Sequence, residues 1–121
     1  MKVRCDEHAP KTVRQALQAL PELDPVREDV LLVASELVSN AVRHSACPEG
    51  ELLTVSACCL EQRMRIAVLD PGLSGQQAEV LERPPQSGGL GLRVVQELSE
   101  RWGAERRQEG YRVWAEVPLA A

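Results

Sequence analysis

Three short segments combine residue types that could do chemistry. In Glu36-Leu37-Val38-Ser39-Asn40-Ala41 a carboxylate and a carboxamide stand four residues apart, so on a helix they project side by side. The carboxylate can take a proton from an incoming nucleophile, and the amide oxygen can ligate a hard cation such as Mg²⁺. The same spacing also fits the solvated face of an ordinary amphipathic helix. Asp70-Pro71-Gly72 closes an apolar run. An ionised carboxylate only accepts hydrogen bonds, which suits it to the exocyclic amine of a base, although Asp-Pro-Gly is equally good turn chemistry. Ser87-Gly88-Gly89-Leu90-Gly91-Leu92 opens a helix, where glycines allow close backbone approach and free N–H groups attract phosphate. No Gly-Lys-Ser/Thr follows, so it is not a P-loop, and it lacks the preceding strand of a dinucleotide fingerprint. A flexible linker meeting a helix cap would look the same.

The elements that must position these segments follow from periodicity. A first helix is predicted from near Pro10 to Leu20, with Val13, Ala16, Leu17 and Leu20 at helical spacing. The second, from about Pro25 to Ser45, has the clearest pattern. At about 100° per residue, Val30, Leu31, Ala34, Leu37, Val38, Ala41 and Val42 form one apolar face. Asp29, Ser35, Glu36, Ser39, Asn40 and Arg43 lie opposite, Leu32 is an exception, and Val33 and His44 fall on the border beside Asn40. Two strands follow. Glu51 to Leu60 places Leu53, Val55, Ala57 and Cys59 on one side, and Arg63 to Leu69 turns Met64, Ile66 and Val68 inward, with Glu61-Gln62 as the turn. Residues 73 to 88 read as a long loop of the functional or mobile kind, with a short helical stretch at Gln77 to Leu81. A third helix begins at Gly89 or Gly91, carries Leu92, Val95, Leu98 and Trp102 along one side, and takes Gly103 as its C-cap. A closing hairpin pairs Ala104–Gln108 with Tyr111–Pro118 across Glu109-Gly110. The expected class is α+β: a two-layer sandwich with helices on one face of a mixed, mostly antiparallel sheet.

Composition bounds the function. At 121 residues, 1–121 should form a single domain with one real core. With no Phe, two Trp and one Tyr, that core must be aliphatic. The same scarcity argues against base-stacking nucleic-acid modules. Charges of both signs interleave to a net −4, without the basic stripe that direct nucleic-acid binding needs. No apolar run reaches the roughly 18 residues of a membrane span, and Met1–Glu7 has no secretory h-region, so a cytoplasmic location is expected. Cys5, Cys47, Cys58 and Cys59 contain no C-x-x-C pair and no convincing His partner at ligand spacing, which predicts small, mostly buried, reduced thiols.

The three segments also occur in a telling order. A helix with Glu36 and Asn40, a strand ending in Asp70-Pro71-Gly72, a loop, then a helix opened by Gly89-Leu90-Gly91 resembles the GHKL, or histidine-kinase-like, ATPases. The resemblance spans essentially the whole chain and implies the Bergerat ATP-binding fold. Within that superfamily, Glu36-Leu-Val-Ser-Asn-Ala-Val-Arg-His44, Gly89-Leu-Gly-Leu-Arg-Val-Val95 and Gly110-Tyr-Arg-Val-Trp-Ala-Glu116 look most like the anti-sigma-factor serine/threonine kinases. Histidine kinases usually carry Asn at the position of Glu36 and join the domain to a dimerising helix pair.

The resemblance implies roles. Glu36 would be the general base, Asn40 would hold Mg²⁺ between the phosphates, and Asp70 would bond the adenine amine, with Gly72 giving the ring room. Gly89, Leu90, Gly91 and Leu92 would offer backbone N–H groups to the phosphates, under a lid formed by residues 73 to 88. Arg43 and His44 would be phosphate neighbours, a role that competes with ordinary charge complementarity at a helix C-terminus. Arg14 would serve partner contact. ATP and Mg²⁺ are the implied ligands. The implied partners are a sigma factor and a STAS-type antagonist phosphorylated on Ser or Thr, in a transcription-regulating homodimer. One departure stands out: the usual Asp-x-Gly-x-Gly has Ser74 in the second glycine's place, with Gly75 one late and Pro71 stiffening the turn. A binding module that works by sequestration alone is therefore an alternative, and a domain working beside a phosphatase or sensor is a third.

Overall fold

The computed structural model describes residues 1–19, 27–44, 51–71, 90–108 and 110–119. In chain order these form β1 (Lys2–Arg4), α1 (Ala9–Gln18), α2 (Arg27–His44), β2 (Leu52–Leu60), β3 (Arg63–Asp70), α3 (Leu90–Leu98), β4 (Arg101–Arg107) and β5 (Gly110–Pro118). The strands make one sheet in the order β1-β2-β3-β5-β4, and all four pairings are antiparallel. The expected class is observed, with helices packed on one face of the sheet.

Alternation explains which face is covered. Leu53 and Val55 of β2, Met64, Ile66 and Val68 of β3, and Val113, Ala115 and Val117 of β5 all point into one buried cluster. From the helices, Val13 and Leu17 of α1, the apolar side of α2 and Val95 of α3 complete it. The core is aliphatic, as the lack of Phe requires. Buried side chains of this kind contribute roughly 1.5–3 kcal/mol each when removed from water, so periodicity and burial reinforce one another.

A three-residue strand, β1, precedes α1; its only buried side chain, Val3, is too little to show as a pattern. Several expectations need correction. Ala57 and Cys59 are exposed rather than inward. β1 pairs only with Leu52 to Thr54, so the rest of β2 runs past it as a sheet edge. The third helix stops at Leu98, and Trp102 and Gly103 belong to β4, where Trp102 and Ala104 pack on the core. Alternation, not helical spacing, brings Trp102 inward. Among the thiols, Cys5 is buried and disulfide-bonded, whereas Cys58 and Cys59 are free and exposed. The expectation of four reduced, mostly buried cysteines is therefore incorrect. Cys47, and the loop and short helix expected between 73 and 88, lie outside the described residues.

Two local features set the far end of the sheet. Gly110 starts β5 with φ +150°, and a Cβ there would collide with the main-chain carbonyl of Asp70. Only glycine lets the β4–β5 turn close onto the end of β3. On the outer face, Glu116 is 1% exposed yet charged. Arg65 donates from Nε at 3.0 Å and from Nη2 at 2.6 Å to its Oε2, and Arg63 donates from Nη1 at 3.1 Å to Oε1. The Arg65 hydrogen bonds are the main reason its pKa lies below the ordinary 4.5; burial opposes them, and Arg63 and the charge of Arg101 add to the lowering.

Gly110→Ala should cost about 2 kcal/mol or more of stability, measured by urea denaturation, because both the backbone conformation and the approach to Asp70 fail. A carboxyl whose folded pKa is lowered stabilises fully above its unfolded value and loses that contribution as pH falls through the folded one. Thermal stability should therefore decline as pH drops below 4.5, and Glu116→Gln should flatten that decline while lowering Tm at neutral pH. Circular-dichroism melts from pH 7 downward check both.

Candidate functional site

α2 packs against α1 and α3 and rests on β3 and β5. Such a helix is covered on more than the single stripe that a surface helix buries. Val33, on the border of the apolar face, is fully buried, and Asn40 beside it is 8% exposed. The solvated-face alternative is therefore excluded for Asn40. Glu36, one turn earlier, is half-buried, while Leu32 remains exposed as the pattern suggested.

Burial without a partner is what separates Asn40 from a structural asparagine. Among the described residues its carboxamide makes no side-chain hydrogen bond, and the one fully buried side-chain polar atom without a partner is Ser99 Oγ, so the amide of Asn40 keeps a contact with solvent. Glu36 likewise enters no ion pair among the described residues. A carboxylate without a cation and an amide without a partner lie one turn apart on the central helix. Chemically they offer a proton acceptor and a neutral oxygen ligand.

Asp70 is the last residue of β3 and is 4% exposed. It follows Met64, Ile66 and Val68 in alternation, so its side chain is on the helix-covered face. It stands in register with Tyr111, which is itself opposite Arg106. Tyr111 is 2% exposed and lies beneath the Arg106 guanidinium, 5.9 Å from its ring centroid. Neither Tyr111 nor Arg106 was singled out from sequence, although the lone tyrosine opposite a strand-end aspartate was a usable signal. The buried carboxylate is held at the sheet end that carries the β4–β5 turn.

Leu90, Gly91 and Leu92 form the first turn of α3, whose N–H groups have no intrahelical acceptors. Together with the helix dipole, they make that end attractive to anions. α3 packs against α2, so this helix mouth belongs to the same layer as Glu36 and Asn40. Arg43 is exposed. His44 ends α2 and its side chain lies outside the description, as do Gly72 and Gly89 entirely. The described candidates thus share one side of the sheet: an acid and an amide from α2, a buried carboxylate from β3, and the opening turn of α3.

Comparison with known families decides what this layout is. The model of the histidine kinase-like ATPase domain matches residues 4–117. The chain belongs to that family. It is an ATPase-type nucleotide-binding fold, and its solved relatives agree on architecture. The catalytic domain of histidine kinase ThkA, in a nucleotide-free form, is 23% identical over 77% of this chain and 67% of that one, with a TM-score of 0.56. The ATP-binding domain of PrrB from Mycobacterium tuberculosis is 19% identical, covers 100% of this chain and 98% of that one, and has a TM-score of 0.55. A blue-light-activated histidine kinase from Erythrobacter litoralis is 24% identical, with a TM-score of 0.53, over 77% of this chain but 44% of the other. At these identities the likeness is one of fold. No curated protein sequence matches the chain. No helix among the described residues is long and apolar enough to cross a membrane.

If Asn40 is reserved for a ligand, replacing it should not unfold the protein. Asn40→Leu should leave Tm unchanged or raise it, because an amide that makes no hydrogen bond to the protein adds little to stability. A structural asparagine would instead cost about 1–3 kcal/mol on losing its bonds. Differential scanning calorimetry of the two proteins distinguishes the cases.

Proposed function

We propose that this domain binds Mg·ATP between α2, α3 and the end of β3, and that Glu36 makes it a protein kinase for a serine or threonine of a regulatory partner. The observation that carries the reading is Asn40: a mostly buried amide with no hydrogen bond to the described residues, beside a carboxylate with no ion-pair partner among them. Asp70 would accept a hydrogen bond from the adenine amino group. The free N–H groups of the first turn of α3 would hold phosphate oxygens. Among the described residues no three His, Cys, Asp or Glu side chains cluster to hold a metal. Mg²⁺ would accordingly be shared between Asn40 and phosphate oxygens, an arrangement usual for this ion. When bound, it would neutralise charge on the phosphates.

The transfer is simple in outline. A partner hydroxyl attacks the γ-phosphorus while its proton passes to the Glu36 carboxylate. The bond from γ-phosphorus to the bridging oxygen breaks, and ADP leaves. Such reactions depend mainly on positioning and charge neutralisation, so a few side chains suffice. The resemblance of the Glu36–His44 segment to anti-sigma-factor kinases supports a STAS-type antagonist as acceptor and a sigma factor as the sequestered protein, with a homodimer as the working form. Arg43 and His44 stand near enough in sequence to Asn40 to contact phosphates, and Arg14 on α1 would face a partner.

A second reading keeps the fold and the nucleotide but not the transfer. Ser74 in place of the second glycine of the usual Asp-x-Gly-x-Gly box favours it.

Two measurements separate the readings. In calorimetric titration, Mg·ATP should bind the wild type, and Asp70→Ala should weaken binding about tenfold or more, equivalent to about 1.4 kcal/mol. With labelled ATP and a STAS-type protein, Glu36→Ala should retain binding and lose phosphoryl transfer by about 10²–10⁴-fold. Binding without transfer by the wild type would favour sequestration. No ATP binding at millimolar concentration would contradict both.

A further inference from the structure

The two faces of the sheet carry very different charge. Alternation and register place Lys2 and Arg4 of β1 and Arg63 and Arg65 of β3 on the face turned away from the helices. Arg101 and Arg107 of β4 and Arg112 of β5 join them. The strands present only two carboxylates there, Glu105 and Glu116. The sequence holds 14 Lys and Arg against 18 Asp and Glu, so half of all the cations occupy this one face. Glu100, just before β4, adds a third by pairing with Arg63 at 3.7 Å, so among the described residues this face has four more cations than carboxylates although the chain is acidic overall.

The face is also shaped. A shallow cavity of about 510 Å³ has Thr54, Ser56 and Ala67 on its floor, with Arg65 at one end and Arg112 and Arg107 at the other. Arg65 and Leu69 are four residues apart on β3, and Leu69 pairs with Arg112, so the two arginine rows are roughly 13 Å apart along the strands. Intramolecular carboxylates hold the arginines in place. Glu105 Oε1 accepts from Arg112 at 3.0 Å and from Arg107 at 3.2 Å, while Glu116 gathers Arg63 and Arg65. The Trp114 indole lies against Gly103, with the Arg65 and Arg101 guanidiniums 5.8 and 5.7 Å from its centroid.

We propose that this outer face, centred on the trough between Arg65 and Arg112, is a docking surface for an acidic segment of a partner protein. Charge complementarity selects the occupant. Guanidiniums already ordered by neighbouring carboxylates lose little freedom on meeting another carboxylate, and their fork geometry suits it. Nucleic acid fits less well. The only aromatic on the face is covered by arginines and is not open to a base, and the two interleaved glutamates repel a continuous phosphate chain. Face-to-face pairing with a second copy would bring two positive surfaces together. The docking surface lies across the sheet from Glu36, Asn40 and Asp70, so it does not depend on the nucleotide reading.

The test uses the whole chain and a fluorescent peptide of about ten alternating Glu and Ala residues, followed by anisotropy. Binding should be measurable near 50 mM NaCl and weaken about tenfold or more near 500 mM, where charges are screened. Lys2→Glu/Arg107→Glu, two exposed positions outside the Glu116 cluster, should reduce affinity at least about tenfold. Lys2→Ser/Arg107→Ser should fall between, and both variants should keep the wild-type circular dichroism and Mg·ATP affinity. The proposal is overturned if the peptide does not bind at low salt, or if the charge-reversed variant binds it as well as wild type does. It is also overturned if oligothymidylate binds more tightly than the peptide. Salt-sensitive self-association in sedimentation, abolished by the charge reversal, would make a second copy the occupant and equally overturn it.

Discussion

Placing α2 between two other helices and on top of the sheet is the constraint from which the rest of the structure follows. A helix packed on one side can keep a polar stripe in water. One packed against α1, α3, β3 and β5 cannot, and its flanking positions are drawn inside. Asn40 is therefore buried by architecture rather than by its own preference, and among the described residues it has no hydrogen-bond partner. Desolvating an amide costs free energy unless a hydrogen bond or ligand compensates it. Under the proposed function, a bound nucleotide and its Mg²⁺ would supply that compensation.

The same packing divides the sheet into two unlike surfaces. On the covered face, aliphatic residues from β2, β3 and β5 meet the helices, and the alternation ends in the buried Asp70. On the other face, charged residues at the same strands' alternate positions pair across strands instead of being solvated singly. Glu116 shows how far this goes: nearly inaccessible, it stays ionised because Arg65 and Arg63 bond it directly and Arg101 adds charge nearby. The proposed nucleotide site on one side and the proposed docking surface on the other can thus be altered separately. Gly110 links the two because its close approach to Asp70 fixes the register at which β5 meets β3.

Much of this was legible in the residues. The period of α2, the alternation of β3 and the Glu61-Gln62 turn all appear as expected, because each pattern is dictated by a single buried face. The ordered set of Glu36, Asn40, Asp70 and the helix opening near Leu90 already points to the histidine kinase-like ATPase family that the comparison shows. Errors arose where one residue type serves two periods. Trp102 lies four residues after Leu98, which imitates helical spacing, but it reaches the core from a strand. Ala57 and Cys59 alternate correctly with Leu53 and Val55, yet burial depends on which helix lies over a strand, and α2 rests on β3 and β5 instead. The disulfide at Cys5 had no sequence signature, since partners distant in sequence are brought together only by the fold. The cationic outer face was hidden for a related reason: its members are dispersed along the chain and gather only through strand register.

Amide chemical shifts followed as Mg·ATP is added to the isotopically labelled protein test the central claim most directly. The account predicts saturable changes concentrated at Glu36 to Asn40, Asp70 and Leu90 to Leu92, with the amides around Arg65 and Arg112 little affected. Changes confined to the outer face of the sheet, or none at saturating nucleotide, would contradict it.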